Sequence, residues 1–342
     1  MSMLQKQMET HRKESQVSEV HISYASASLI KEKLGKLKLV SDEDWLDAKE
    51  WIGNQLAHHL PSETVKALAL FGRNVNQGAI VIRGMPIDQD LPPTPYKGYE
   101  PPQSIPLISA IHLGIYHLVG INPIAYQNEN RGLLFRHVVP ATVGREQKSS
   151  HGSKLTFGFH VDNPDLPLAP EILVDRSGCP EFLSLMAVRS DLQVRSSVVM
   201  LDSVLESLNR GVIEHLCMDE FLISRPDSFV KGKNTRLPLL VFDNDNIPYC
   251  RYDKENTVPL TPRAAAALVM FEAALDKQEN QLTTLFLPGD LLLIRNQRTF
   301  HRREGYQPRD DGADRWLVRL FGMSSKEKLL PVAKNKQHIG ID

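Results

Sequence analysis

The sequence predicts a mixed α and β protein whose core is an antiparallel β barrel or jelly roll, wrapped by helices at its front and by one inserted helix. Short β-like runs at residues 133–139, 155–161, 182–189, 239–242, 291–295 and 316–321 are joined by loops rather than by regular helices. That texture belongs to an antiparallel barrel and not to a doubly wound parallel sheet. The first third instead carries apolar residues at helical spacing, and no internal repeat or low-complexity tract points to a solenoid.

Residues 1–20 are rich in Gln, Lys, Glu and Ser with little to bury, and are expected to form a mobile arm outside the fold. Residues 21–342 are read as a single domain with a barrel core at about 78–323. Trp45, Leu46, Trp51, Ile52, Leu56 and Leu60 recur at steps of three and four, which predicts amphipathic helix over 42–71, interrupted at Pro61. Ala79-Ile80-Val81-Ile82 reads as a buried strand ended by Gly84 and Pro86. A Pro-rich loop at 92–106 precedes a second helix at 107–119. Thr261 followed by Pro262 supplies an N-cap with proline at the first helical position, opening the inserted helix that 264–275 continues.

Composition narrows the function. With 40 Lys+Arg against 41 Asp+Glu the net charge is −1, so no strong field steers the chain to nucleic acid or to an anionic membrane. No apolar run approaches the roughly 20 residues of a membrane span. Cys179, Cys217 and Cys250 are far apart without CxxC spacing, which argues against a disulfide framework or a thiolate zinc site and for a reducing cytoplasm. The expected partner is a small molecule, and association into a homo-oligomer is compatible with the sequence.

Chemistry concentrates in one constellation. Of twelve histidines, only His160 is followed two positions later by a carboxylate, Asp162, and it ends a strand-like run. In extended chain, residues i and i+2 point to the same side, so both can face a barrel interior and grip one metal. His301 follows a buried-strand pattern at 291–295 and is the best candidate for a third ligand. Two imidazoles and a carboxylate on one face leave positions open, the arrangement by which non-heme Fe(II) takes a cosubstrate and O₂ together. Arg315 opens a strand-like run after a tight Asp-Gly turn, and would present a guanidinium fork to a dicarboxylate. Arg315, Leu317 and Arg319 share a strand face. Asp253 and Glu255, two apart in a polar segment, could bracket a cationic group. Asp227, in another polar loop, is a further candidate substrate contact.

His160-x-Asp162, Leu-Pro-Gly-Asp290-Leu-Leu-Leu-Ile-x-Asn296, His301 and Asp-Gly-x-Asp-Arg315-Trp-Leu-x-Arg319 together resemble the Fe(II)/2-oxoglutarate-dependent oxygenases of the clavaminate synthase-like group, nearest to its hydroxylases of free amino acids such as arginine and lysine. The resemblance runs from about residue 78 to 323. It implies a double-stranded β-helix of jelly-roll, cupin-like form, and Fe(II), 2-oxoglutarate and O₂ as cofactor and cosubstrates. It further implies His160, Asp162 and His301 as iron ligands, Arg315 and Ser196 as partners of 2-oxoglutarate, and Arg319 for the substrate carboxylate. By the same likeness Gln127 would hold the α-amino group, and Asp253 and Glu255 a basic side chain. One departure is Asp162, where the group usually has Glu; a ligating residue there argues against halogenation, since halogenating relatives carry a small non-ligating residue. Desaturation or cyclisation by the same oxidant, a non-catalytic ligand-binding barrel and a zinc hydrolase remain alternatives at this stage.

Overall fold

The computed structural model describes residues 17–142, 153–225, 234–277 and 281–342. In chain order the strands begin with β1 (Val17–His21), β2 (Ala79–Arg83), β3 (Asn122–Tyr126), β4 (Arg136–Val138), β5 (Phe157–His160), β6 (Phe182–Arg189) and β7 (Arg195–Met200). They continue with β8 (Phe221–Ile223), β9 (Thr235–Leu237), β10 (Leu240–Phe242), β11 (Pro248–Cys250), β12 (Thr257–Pro259) and β13 (Gln281–Leu285). The last four are β14 (Leu291–Arg295), β15 (Thr299–Arg303), β16 (Trp316–Met323) and β17 (Ile339–Gly340). The major sheet runs β1-β2-β14-β6-β16-β3-β17, with β4 also paired to β16. A separate four-stranded sheet runs β13-β7-β15-β5.

Period-two alternation sorts the major sheet into two buried faces. Ala79, Val81, Leu292, Ile294, Leu317 and Phe321 enter an apolar cluster shared with Val198, Val199 and Phe300 of the smaller sheet. Their neighbours Ile80, Ile82, Leu291, Leu293, Val318 and Leu320 enter a second cluster, built with the helices Lys49–His59, Ser62–Arg73 and Pro106–Val119. Both faces are therefore covered, which is why these strands read as continuous hydrophobic runs.

The expected helices lie where the periodicity put them: Asp42–Asp47, Lys49–His59 and Ser62–Arg73 on either side of Pro61, then Pro106–Val119. Thr261 Oγ1 accepts the Ala264 N–H at 3.1 Å and so caps Pro262–Leu275. The Leu-Pro-Gly-Asp290 turn is structural: Gly289 has φ +89, and a Cβ there would stand 2.0 Å from the Met85 carbonyl. Asp290 accepts the Leu287 N–H at 2.9 Å and Arg83 Nη1 at 2.6 Å.

One boundary is corrected. Strand β1 begins inside the stretch expected as a mobile arm: Val17–Val20, with His21 after them, pair in parallel with β2 from Val17 opposite Ala79 to His21 opposite Arg83. Polar composition marks it as an edge strand that water reaches, not as chain outside the fold. Among the described residues no helix is long and apolar enough to cross a membrane.

Candidate active site

The site forms where β5 and β15 pair. His160 and His301 are direct antiparallel partners, so their side chains leave the sheet on the same side, with ring centroids 4.0 Å apart. Asp162, two residues past His160, brings a carboxylate to the same point. Its oxygens lie 3.9 Å from His160 Nε2 and 3.9 Å from His301 Nε2, too far for hydrogen bonds. One ligand atom from each of the three residues lies within 4.8 Å of the others. Donors that converge without bonding one another are what a shared cation requires, and this N,N,O set on one face suits Fe(II).

The protonation states fit that use. His160 Nδ1 lies 2.9 Å from the Gly158 carbonyl; with the proton there, Nε2 presents its lone pair to the site. Burial, reinforced by His160, pushes the His301 imidazole down to about 3, so it is neutral near pH 7. Burial alone would raise the Asp162 carboxyl, but the Arg319 guanidinium beside it, with Arg136, outweighs burial and holds the group below the usual carboxylate range.

A cavity opens on these three side chains, lined also by Ser196, Arg315, Arg319 and the apolar Phe157 and Leu185. Arg315, immediately before β16, and Arg319, within it, both line this cavity. Arg315 is buried, its Nη2 lies 3.4 Å from Ser196 Oγ, and among the described residues no carboxylate stands within ion-pair range of it. A buried guanidinium without an acid is costly and calls for an anion.

Arg319 is placed differently. Its Nη1 lies 3.4 Å from Asp162 Oδ2, and its Nη2 pairs with Glu129. Glu129 is buried, takes Arg136 Nη1 at 2.7 Å and receives Asn163 Nδ2 at 3.3 Å. The expected amine partner, Gln127, is instead exposed, with its N–H donated to the Gly340 carbonyl at 3.0 Å. Strand β3 ends at Tyr126, so alternation stops, and the acid that turns inward is Glu129.

The two acids expected around a cationic side chain do not meet in the pocket. Asp253 is buried, but its carboxylate accepts the Glu255 N–H at 2.9 Å and Asn256 Nδ2 at 2.8 Å, capping its own turn. Glu255 is exposed and lines a separate cavity with Gly158, Phe159, Lys254 and Glu272. Asp227 lies outside the described residues. The segment after Asp162 is tied down by Arg251, whose Nη1 donates to the Pro164 and Leu166 carbonyls at 3.2 and 3.0 Å and whose Nη2 pairs with Glu171.

The sequence profile described as "Taurine catabolism dioxygenase TauD, TfdA family" matches residues 218–321, which include His301, Arg315 and Arg319. The chain is 31% identical to L-asparagine oxygenase of Streptomyces coelicolor over 314 residues, covering 89% of each protein. It is 27% identical to L-lysine 3-hydroxylase of Catenulispora acidiphila over 78% of this chain and 73% of that protein. In three dimensions it resembles a crystal structure of asparagine oxygenase in complex with Fe(II), 2S,3S-3-hydroxyasparagine and succinate, with a TM-score of 0.80 and 28% identity over 95% of this chain and 99% of that one.

Proposed function

The chain belongs to the TauD/TfdA family of Fe(II)/2-oxoglutarate-dependent oxygenases, in its clavaminate synthase-like group, and from that premise we propose that it hydroxylates a C–H bond of a free L-amino acid. Substrate, 2-oxoglutarate and O₂ give hydroxylated amino acid, succinate and CO₂. The observation that carries this is a cavity lined by His160, Asp162, His301, Arg315 and Arg319, in which Arg315 has no carboxylate within ion-pair range among the described residues, while Arg319 pairs with the buried Glu129 of a neighbouring pocket. The opposed sheets fit a double-stranded β-helix core.

His160, Asp162 and His301 would hold iron, which with 2-oxoglutarate and O₂ supplies an oxidant able to take hydrogen from carbon. Arg315 would receive the distal carboxylate of 2-oxoglutarate on its fork, with the Ser196 hydroxyl beside it. Arg319 would take the α-carboxylate of the substrate and Glu129 its ammonium, so the two charges fix which end of the amino acid enters first. Phe157, Val138, Leu185 and Val198 give the rest of the wall an apolar surface that excludes water. Regiochemistry then follows from which carbon this grip leaves beside the metal.

The side chain is proposed to be basic, of the arginine or lysine type, supported by the likeness to lysine 3-hydroxylase. A carboxamide side chain is the second reading. It is favoured by four arginines against one acid in the cavity lining, by the inward engagement of Asp253 and by the outward position of Glu255. The three unpaired cysteines suit a reducing cytoplasm. The deciding experiment screens the twenty amino acids and common basic non-protein ones for succinate release and a +16 mass shift with the iron-loaded enzyme. A basic amino acid as best substrate supports the first reading and asparagine the second; succinate without any hydroxylated amino acid would overturn both.

A further inference from the structure

The Asp342 carboxylate has no solvent exposure although it lies far along the chain from every residue assigned above. Its Oδ1 accepts the Asn128 N–H at 3.0 Å, one residue before Glu129. Its Oδ2 stands 3.2 Å from Arg225 Nη2. Arg225 in turn donates from Nε to Asp165 Oδ2 at 3.1 Å, and Arg176 stands 3.7 Å from that same oxygen. Asp165 is buried three residues beyond Asp162. The contacts therefore link the Glu129 segment to the segment that follows the carboxylate of the triad.

The backbone that delivers Asp342 is itself fixed. Strand β17 runs parallel to β3, with Ile339 opposite Ala125 and Gly340 opposite Tyr126. Ser177 donates its N–H to the Ile341 carbonyl at 2.8 Å. A Cβ on Gly340 would stand 2.4 Å from Ser177 Oγ and 2.6 Å from Leu329 Cδ1, so both side chains pack directly on the glycine.

We propose that Asp342 is a positioning residue for the amino acid: it holds the Glu129 segment from behind and, through Arg225 and Asp165, the segment after Asp162. This rests on the reading that Glu129 receives the substrate ammonium. Glu129 already satisfies Arg319, Arg136 and Asn163, so its carboxylate can serve a further cation only from one place, and a small displacement of its backbone misaligns the grip. A buried carboxylate is retained at a desolvation cost that its partners must offset. Losing either partner of Asp342 frees the strap. Arg315 and Ser196 make no contact in this relay, so cosubstrate binding is expected to be insensitive to it.

The test uses full-length, iron-loaded enzyme and the amino acid found in the screen. Asp342→Asn keeps an acceptor for the Asn128 N–H and loses the charge facing Arg225; Asp342→Ala loses both. KM is measured separately for amino acid and 2-oxoglutarate, together with hydroxylated product formed per succinate. The amino-acid KM is expected to rise about 3- to 30-fold in Asp342→Ala, less in Asp342→Asn, with product per succinate falling and the 2-oxoglutarate KM unchanged. Arg225→Gln added to Asp342→Asn should raise the amino-acid KM no further, since both cut the same link. An unchanged amino-acid KM and product ratio in folded Asp342→Asn would overturn the proposal, as would an equal rise in both KM values. Where Asp342→Ala does not fold, Asp342→Asn decides. Wild-type enzyme that hydroxylates no amino acid would overturn the functional reading and this inference with it; wild-type turnover with unaltered variants overturns the inference alone.

Discussion

The side chain of Asn296 brackets the main chain of Asp162: its Oδ1 accepts the Asp162 N–H at 2.9 Å and its Nδ2 donates to the Asp162 carbonyl at 2.9 Å. The same Nδ2 lies 2.9 Å from the Pro180 carbonyl, and Asn296 is fully buried. The residue that closes the Leu-Pro-Gly-Asp motif therefore sets the backbone of one candidate ligand by holding both of its peptide groups.

Asn296→Ala is accordingly expected to lower unfolding free energy by about 2–4 kcal/mol, because three buried hydrogen bonds are lost and their partners left unpaired. Fe(II) affinity should fall about 10- to 100-fold, as when a group that orients a ligand is removed. Anaerobic iron titration beside urea unfolding checks both. Unaltered iron affinity in the destabilised variant would make Asn296 a packing residue only.

Arg315→Ala should raise the 2-oxoglutarate KM about 10- to 100-fold, the worth of a charge-assisted pair in a buried site. The amino-acid KM should move little. Arg315→Lys is expected to recover part of the loss, since an ammonium keeps the charge without the fork. Steady-state kinetics varying 2-oxoglutarate measure this, and an unchanged KM in the alanine variant would place the cosubstrate carboxylate elsewhere.

Glu255→Gln should leave kcat/KM for basic and neutral amino acids within about twofold of wild type, as expected of an exposed side chain outside the cavity. Asp253→Ala is expected to cost about 1–3 kcal/mol of stability through the unmade bonds of its turn, measured by denaturant unfolding. A loss confined to basic amino acids in Glu255→Gln would bring that acid back to the substrate.

Two histidines away from the cavity predict acid sensitivity. Burial, aided by His137, pushes His112 down to about 3. Burial, partly opposed by the Glu100 carbonyl, pushes His137 down to about 4. The unfolded chain takes up these protons near 6.5, so between pH 6.5 and 4 it binds more protons than the folded one, and stability falls as pH falls. The slope approaches about 1.4 kcal/mol per pH unit for each histidine. His137→Gln should remove one histidine's share of the difference in unfolding free energy between pH 7 and pH 5; an identical difference in the variant would contradict the assignment.

What was legible in the sequence was local. His160 and Asp162 are two apart at the end of β5, Arg315 and Arg319 four apart at the start of β16, and Thr261-Pro262 announces its helix, so spacing alone carried the geometry. Glu129 is invisible by the same logic. Its partner Arg319 is remote in sequence, and β3 ends at Tyr126, three residues before it, so no strand periodicity ties it to the site. Gln127, two residues away, has the right neighbourhood and the wrong side. Asp253 and Glu255 show the converse, because the spacing that could bracket a cation is also that of an Asx turn capping itself. Val17–His21 was masked by its edge position, where alternation is half polar and composition resembles a free arm.

The pairing of His160 with His301 makes the order of assembly a matter of chain topology. The two residues come from distant parts of the sequence, and their meeting needs β5 and β15 in register, with β7 on the other side of β15. A slip of one residue would turn His301 to the opposite face. Such non-local contacts are intrinsically slow to form, so under the proposed ligand assignment iron meets the paired imidazoles only once these strands have joined. Strand register brings the imidazoles together, and metal capture becomes a late event that reports completed folding.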